Sequence, residues 1–208
     1  MVPGRHELHA RHVSLIVTTR PGASVLLQRM HLPTHILSGW CAASVLRLSP
    51  RERLFCMVAA TGADLDGVSF LFGQDAYWNW HHVLGHNIFF ALAMAGVLAA
   101  FSQRKLASYL LYLALAHLHL VMDYYGSGEH WPLFYLWPAS GAKFQNPGAW
   151  PFLSWQNLLA LAALFGWTVA IAIRQRRTPF ELIAPQVDQR ILRWLGAAPS
   201  LHLPESQS

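Results

Sequence analysis

Charge is scarce in this sequence. Acidic residues number 10 and Lys plus Arg 15, a charged share of 12%, about half that of an ordinary soluble protein. The formal excess is only +5. It falls in short clusters between apolar runs rather than along one continuous face, which excludes the usual nucleic-acid-binding pattern. Cysteine is nearly absent. Cys41 and Cys56 both lie inside apolar segments, so they make neither a disulfide framework nor a closely spaced thiolate site, and read as small buried hydrophobes. Also missing is an uninterrupted run of about 18 apolar residues, the mark of a simple spanning helix. Yet hydrophobic residues make up 54% of the chain. A membrane protein whose spans admit a few polar positions reconciles these facts, and makes those polar positions the residues of interest.

Residues 1–29 differ in kind from the rest. They are broken by Pro3-Gly4 and Pro21-Gly22, and their apolar stretch Leu15-Ile16-Val17 is too short for a signal-peptide core. They read as an extension or a disordered tail, with the organised pattern starting at Met30. The expected domain covers 30–177, followed by an interfacial helix and disordered tail over 178–208. Within the domain the pattern predicts helices over about 30–48, 54–63, 83–101, 106–123 and 152–173. The first two are short for full spans and read as a partly embedded hairpin. Ser49-Pro50-Arg51-Glu52 has a serine N-cap, proline at the first helical position and glutamate three after the cap, which together make a capping box. Thr178-Pro179-Phe180-Glu181 repeats that pattern, and residues 187–195 suit a short amphipathic helix. The fold class is therefore all-α: a polytopic membrane bundle of about five helices.

The polar residues sort onto two ends of such a bundle. Arg47/Arg51/Arg53, Arg104/Lys105 and Arg174/Arg176/Arg177 fall at one end. His35, Asp64, Asp66, His81, His82, His86, His119 and Asp123 fall at the other. By the positive-inside rule the arginine end is cytoplasmic, so the histidine end faces the periplasm or outer surface. Trp78-Asn79-Trp80-His81-His82-Val83-Leu84-Gly85-His86 is the densest part of that end, and neutral imidazole is the commonest metal ligand. If the helix starts near Leu84, His82 and His86 lie four apart on one face, as do His119 and Asp123. His117 is two from His119, points nearly the opposite way, and reads as a packing histidine. Aspartates after a helix are often only caps or turn formers. Four separate segments each bringing histidine or aspartate to one patch argue instead for a shared centre, since ionisable groups at membrane depth are costly and usually functional. Mixed imidazole and carboxylate donors suit a divalent metal: zinc, or else manganese or iron. The number of candidate ligands exceeds one tetrahedral ion and favours two, the arrangement of many phosphoester-cleaving sites.

Pro33-Thr34-His35, Ala63-Asp64-Leu65-Asp66, His81-x4-His86 and His119-x3-Asp123, followed by Gly126 and Trp137-Pro138, resemble the motifs of the YdjM-like family of bacterial inner-membrane proteins, described as metal-dependent hydrolases. The resemblance spans roughly residues 30–140. It implies a hydrolase class and a ligand set of His35, Asp64, Asp66, His81, His86, His119 and Asp123. Three positions depart from the family pattern: His82 stands where arginine is commoner, Gly85 where threonine is, and Ala63 where proline is.

These readings converge on a membrane-bound hydrolase of a phosphoester or other ester, its small-molecule or lipid substrate attacked by metal-activated water. His82 or Glu129 fits a general base or a partner of the ligands, and each reads equally as a solvated loop residue. The competing reading is a metal-binding membrane protein without enzymatic activity, or a transporter component. A transport path needs polar residues through the bilayer depth, and residues 88–101 and 106–116 are bare of them.

Overall fold

The computed structural model describes residues 31–129 and 131–197. The expected tail over 1–29 and the C-terminal residues beyond 197 lie outside the described residues. The chain forms helices α1 (His31–Val45), α2 (Pro50–Thr61), a 3-10 helix (Gly62–Phe72), α3 (Gln74–Trp80), α4 (Ile88–Ala100), α5 (Lys105–Gly126), α6 (Trp155–Gln175) and α7 (Pro185–Trp194). No strand is named among the described residues; Leu133 and Phe144 pair in an isolated bridge. The protein is all-α.

Three segments are long and apolar enough to cross a membrane: Pro50–Phe72, Lys105–Gly126 and Trp155–Gln175, with Ile88–Ala100 a shorter apolar helix. At 1.5 Å per residue α5 is about 33 Å long, matching a hydrocarbon core of about 30 Å. The helices meet through small residues. Ala43, Cys56, Ala59, Ala60, Ala95 and Ala99 build one buried core with Tyr112 and Leu115. Small side chains let helix backbones approach closely, the usual basis of packing inside a bilayer. Gly39 shows how close: a Cβ there would sit 2.6 Å from the Cys56 carbonyl oxygen. Both cysteines are free and buried. Large apolar side chains face outward instead, among them Val97, Leu106, Leu110, Leu159 and Phe165, as expected of a surface bathed in lipid.

Caps set several helix starts. Ser49 and Glu52 form the expected capping box, with Pro50 in the first turn. Asn87 caps α4 by accepting from the Phe90 amide, and Ser154 caps α6 by accepting from Asn157.

The structure corrects four expectations. The second helix does not end at a turn near residue 63 but runs on as the 3-10 helix. Gly62 keeps right-handed helical angles (φ −64°, ψ −25°), and its missing side chain serves packing, since a Cβ would lie 2.1 Å from Met94 Sδ. The 50–72 segment is thus long enough to span, and the short-hairpin reading fails. The third helix starts at Ile88 rather than near Val83. Asn87 prevents an earlier start: its side-chain amide donates to the Val83 and Leu84 carbonyls (2.8 and 2.9 Å), stapling 81–87 into a loop. His82 takes a positive φ of 65° there, so His82 and His86 do not share a helical face. The stretch between the helices expected over 54–63 and 83–101 contains a further helix, α3. Finally, Thr178 and Glu181 do not cap a helix; the Thr178 hydroxyl donates to Asp188 (2.8 Å) and Glu181 pairs with Arg53.

Candidate metal centre

Four segments deliver polar side chains to one buried volume. α1 supplies His35, the 3-10 helix Asp64 and Asp66, the 81–87 loop His81, His82 and His86, and α5 His119 with Asp123. The His35, His86 and His119 residues are at most 1% exposed, so solvent satisfies none of their ring nitrogens.

The core of the cluster is a triangle. His86 Nε2 lies 3.1 Å from His119 Nε2 and 3.1 Å from Asp123 Oδ2, and His119 Nε2 lies 3.0 Å from the same carboxylate oxygen. Asp64 Oδ1 stands over it at 3.8 and 3.7 Å from the two imidazole nitrogens. His35 Nε2 reaches the other Asp123 oxygen at 3.2 Å, with its ring against that of His119. The Ser127 hydroxyl donates to Asp123 Oδ1 at 3.3 Å.

The opposite edges of these rings fix their tautomers. A carbonyl only accepts, so the His119 Nδ1–H donates to the Ala60 carbonyl (2.8 Å). The His86 Nδ1–H donates to Asp66 Oδ2 (2.9 Å). Asp66 also accepts from the Gly85 amide (3.0 Å) and the His81 Nδ1–H (2.6 Å). Its carboxylate is thus saturated by three donors. Gly85 is required at this contact, because a Cβ would fall 2.0 Å from the Ala63 carbonyl oxygen. With both Nδ1 protons spent outward, the His86 and His119 Nε2 lone pairs point at each other. Two facing lone pairs need a cation between them, a proton or a metal ion. Two nitrogens bound at about 2.0–2.1 Å to a tetrahedral zinc would stand roughly 3.3 Å apart, close to the observed 3.1 Å.

Electrostatics in the loop agree. Burial pushes the His86 imidazole down, but Asp66 and Asp123 outweigh it and carry it up to about 10. His82 is held well below the ordinary histidine value, by burial first and then by the charge on His86, with Asp123 opposing.

Two ligand groups are geometrically capable of holding a metal ion: Asp64, His86, His119 and Asp123; and Asp66, His81 and His86. His82 stacks on His86 (ring centroids 4.2 Å apart), with its Nε2 3.9 Å from Asp123 Oδ2. Its buried Nδ1 has no hydrogen-bond partner among the described residues. Beside it lies a cavity of about 40 Å³ walled by Asp64, His81, His82, Asp123, Tyr77 and Trp131, enough for roughly two or three waters. Trp131 covers His82 and stacks on the exposed Trp78 (4.6 Å), while Tyr77 stacks on His81 (4.6 Å). Glu129 is exposed and is not among the residues lining this cavity. His117 points elsewhere, donating from Nδ1 to the Leu113 carbonyl and accepting at Nε2 from the Tyr135 hydroxyl. Tyr77, Trp131 and Ser127 were not expected in the site. Two of them had a signal in the sequence, since Tyr77 is four before His81 and Ser127 four after Asp123.

Residues 30–187 match the family described as YdjM inner membrane protein. The chain belongs to the YdjM family. It is therefore an inner-membrane, multi-pass protein, and its apolar spans lie in the lipid bilayer. No curated protein and no solved structure matches the chain.

Proposed function

We propose that this YdjM family member is a membrane-bound, metal-dependent hydrolase acting on a phosphoester of a lipid-like substrate, with its centre facing the periplasm. The observation that carries the reading is the pair of converging His86 and His119 Nε2 atoms, 3.1 Å apart with both Nδ1 protons committed elsewhere. Asp64, His86, His119 and Asp123 would hold the ion, with His35 bracing Asp123. Two nitrogens and two carboxylate oxygens suit zinc, with manganese and iron the next candidates. The ion would polarise the scissile group and lower the pKa of a bound water.

Asp66 serves in this reading to orient two imidazoles, in the manner of the carboxylates that back metal-bound histidines. A second ion at Asp66, His81 and His86 would require His86 to give up both ring protons and Asp66 to lose its donors, so one ion is favoured. His82, kept neutral by burial and bordering the cavity, accepts the proton from water. Glu129 has no such placement and is left with a surface role. The aromatic rim, together with exposed Leu71 and Phe72 on the neighbouring 3-10 helix, suits an amphiphile presented at the membrane interface. The arginine-rich turns at the far end orient the protein by the positive-inside rule. The working unit is 30–177, to which residues 178–197 are tied through the Arg53–Glu181 pair and the packing of Leu192 and Ala197 on Ala172. α4 is apolar throughout, which disfavours a transport path.

Metal analysis of the detergent-purified full chain, paired with hydrolysis of a chromogenic phosphodiester and a carboxylic ester, tests this. The expected result is about one zinc per chain and a phosphodiesterase activity lost on chelation and restored by zinc. Stoichiometric metal with no turnover would put the non-enzymatic reading in its place, and absence of metal would end both.

A further inference from the structure

A second cavity, of about 430 Å³, lies at the arginine end, between the α1–α2 turn and the α4–α5 turn. Arg47 and Arg104 line it together with the apolar Leu46, Leu48, Ala107 and Leu111. We propose that it binds the head group of an anionic phospholipid. This inference is independent of the chemistry at the metal centre.

The arginines of this end divide into two kinds. Arg53 is spent on Glu181 and the Leu48 carbonyl, Arg177 on the Ser44 carbonyl and Gln175, and Arg51 lies over the Phe55 and Phe101 rings. The guanidinium groups of Arg47 and Arg104 make no hydrogen bond or ion pair among the described residues, although Arg104 is close enough for its charge to act on Glu52, and both line the cavity. Guanidinium is well matched to phosphate, offering paired donors in a fixed plane. Glu52 also borders the cavity, but its carboxylate is engaged. Oε2 accepts from the Ser49 amide and hydroxyl, and Oε1 from the Gln103 amide (3.4 Å). Buried Glu52 thereby ties together the two turns that carry Arg47 and Arg104, so the site is built by the fold.

The leucine and alanine wall argues for an amphiphile over a free anion. Phosphate would sit at the guanidiniums and the glycerol carbons against Leu46, Leu48 and Leu111. Val45, Phe101, Leu106 and Leu110, neighbours in sequence of the lining residues, are exposed and would meet the acyl chains. Both turns lead directly into spanning segments, at Pro50 and Lys105, and the ends of spans lie near head-group depth, where basic pockets recruit anionic lipids. The volume falls in the range of about 300–1,000 Å³ typical of small-ligand pockets.

The test uses the full chain in detergent, with phosphatidylglycerol, phosphatidylcholine or inorganic phosphate added, read by thermal unfolding and by lipid adducts in native mass spectrometry. Phosphatidylglycerol should raise the midpoint and remain bound, while phosphatidylcholine and millimolar phosphate should do neither. The variant Arg47→Ala/Arg104→Ala should weaken retention about 25-fold, at about fivefold for each charge. Ala107→Trp, which fills the cavity and keeps both charges, should lose retention as well while staying monodisperse. Equal protection by phosphatidylcholine or by free phosphate would overturn the proposal. So would full retention by either monodisperse variant.

Discussion

Both ends of the bundle bury charge, and they do so differently. At the arginine end most buried groups are closed within the protein: Arg53 forks onto Glu181 at 2.6 Å through each nitrogen, Asp188 accepts from the Thr178 amide and hydroxyl, and Glu52 completes the capping box. At the histidine end the donors and acceptors do not balance. The Nδ1 sides are satisfied by Ala60 and Asp66, and the Nε2 sides are left converging on Asp123. A buried network that serves architecture can close on itself. One that serves a ligand leaves its lone pairs aimed at a common point, and the rest of the fold must hold them there.

Breaking the closed network should have the largest effect on folding. Glu181→Ala leaves the Arg53 guanidinium buried without its partner, which costs about 3–5 kcal/mol for a buried pair. Urea titration of the detergent-solubilised protein should show this loss, while metal content per folded chain stays unchanged. Loss of metal as well would mean that the two ends are coupled, contrary to the contrast drawn here.

The open network should respond in binding. Asp66→Asn keeps the shape of the side chain but weakens its hold on His81 and His86, and should lower metal affinity about 10–100-fold, measured by competition with a chromophoric chelator. Complete loss of metal would make Asp66 a direct ligand and bring back the second ion.

Protons and metal compete for one lone pair at His86. Its raised value, about 10, means that the chelator-treated protein carries the His86 proton at neutral pH and that metal must displace it. Binding at pH 7 should release about one proton per ion, seen by calorimetry in buffers of different ionisation enthalpy, and affinity should rise with pH up to about 10. The sign for folding is the reverse. The stabilisation from charged His86 is fully present below the unfolded value of about 6.5 and is lost as pH rises through about 10.

The smallest effect is expected at His117, whose partners are Leu113 and Tyr135. His117→Ala should leave metal content unchanged.

Much of this contrast was legible in the sequence, because helix periodicity and charge placement are local. The i,i+4 relation of His119 and Asp123, the capping box at Ser49 and the outward turn of His117 all follow from spacing along one element. Less legible were features set by distant partners. Thr178 and Glu181 matched a capping pattern, but tertiary contacts with Asp188 and Arg53 claimed both. Gly62 and Gly85 fall inside the helices expected over 54–63 and 83–101, yet each is placed by a close approach, to Met94 and to the Ala63 carbonyl. The start of α4 was misjudged because Asn87 caps the helix and also staples the loop before it, and periodicity does not reveal the second role. The saturation of Asp66 by three donors depends on a tertiary fit that no spacing encodes.

The central claim, that scattered residues share one ion, is tested most directly by a double-mutant cycle on metal content. His86→Ala alone should remove most of the bound metal, and adding Asp123→Ala should cost little more, because ligands of one ion act as a unit. If the two substitutions simply add, or if the His86→Ala protein keeps its metal, there is no shared centre.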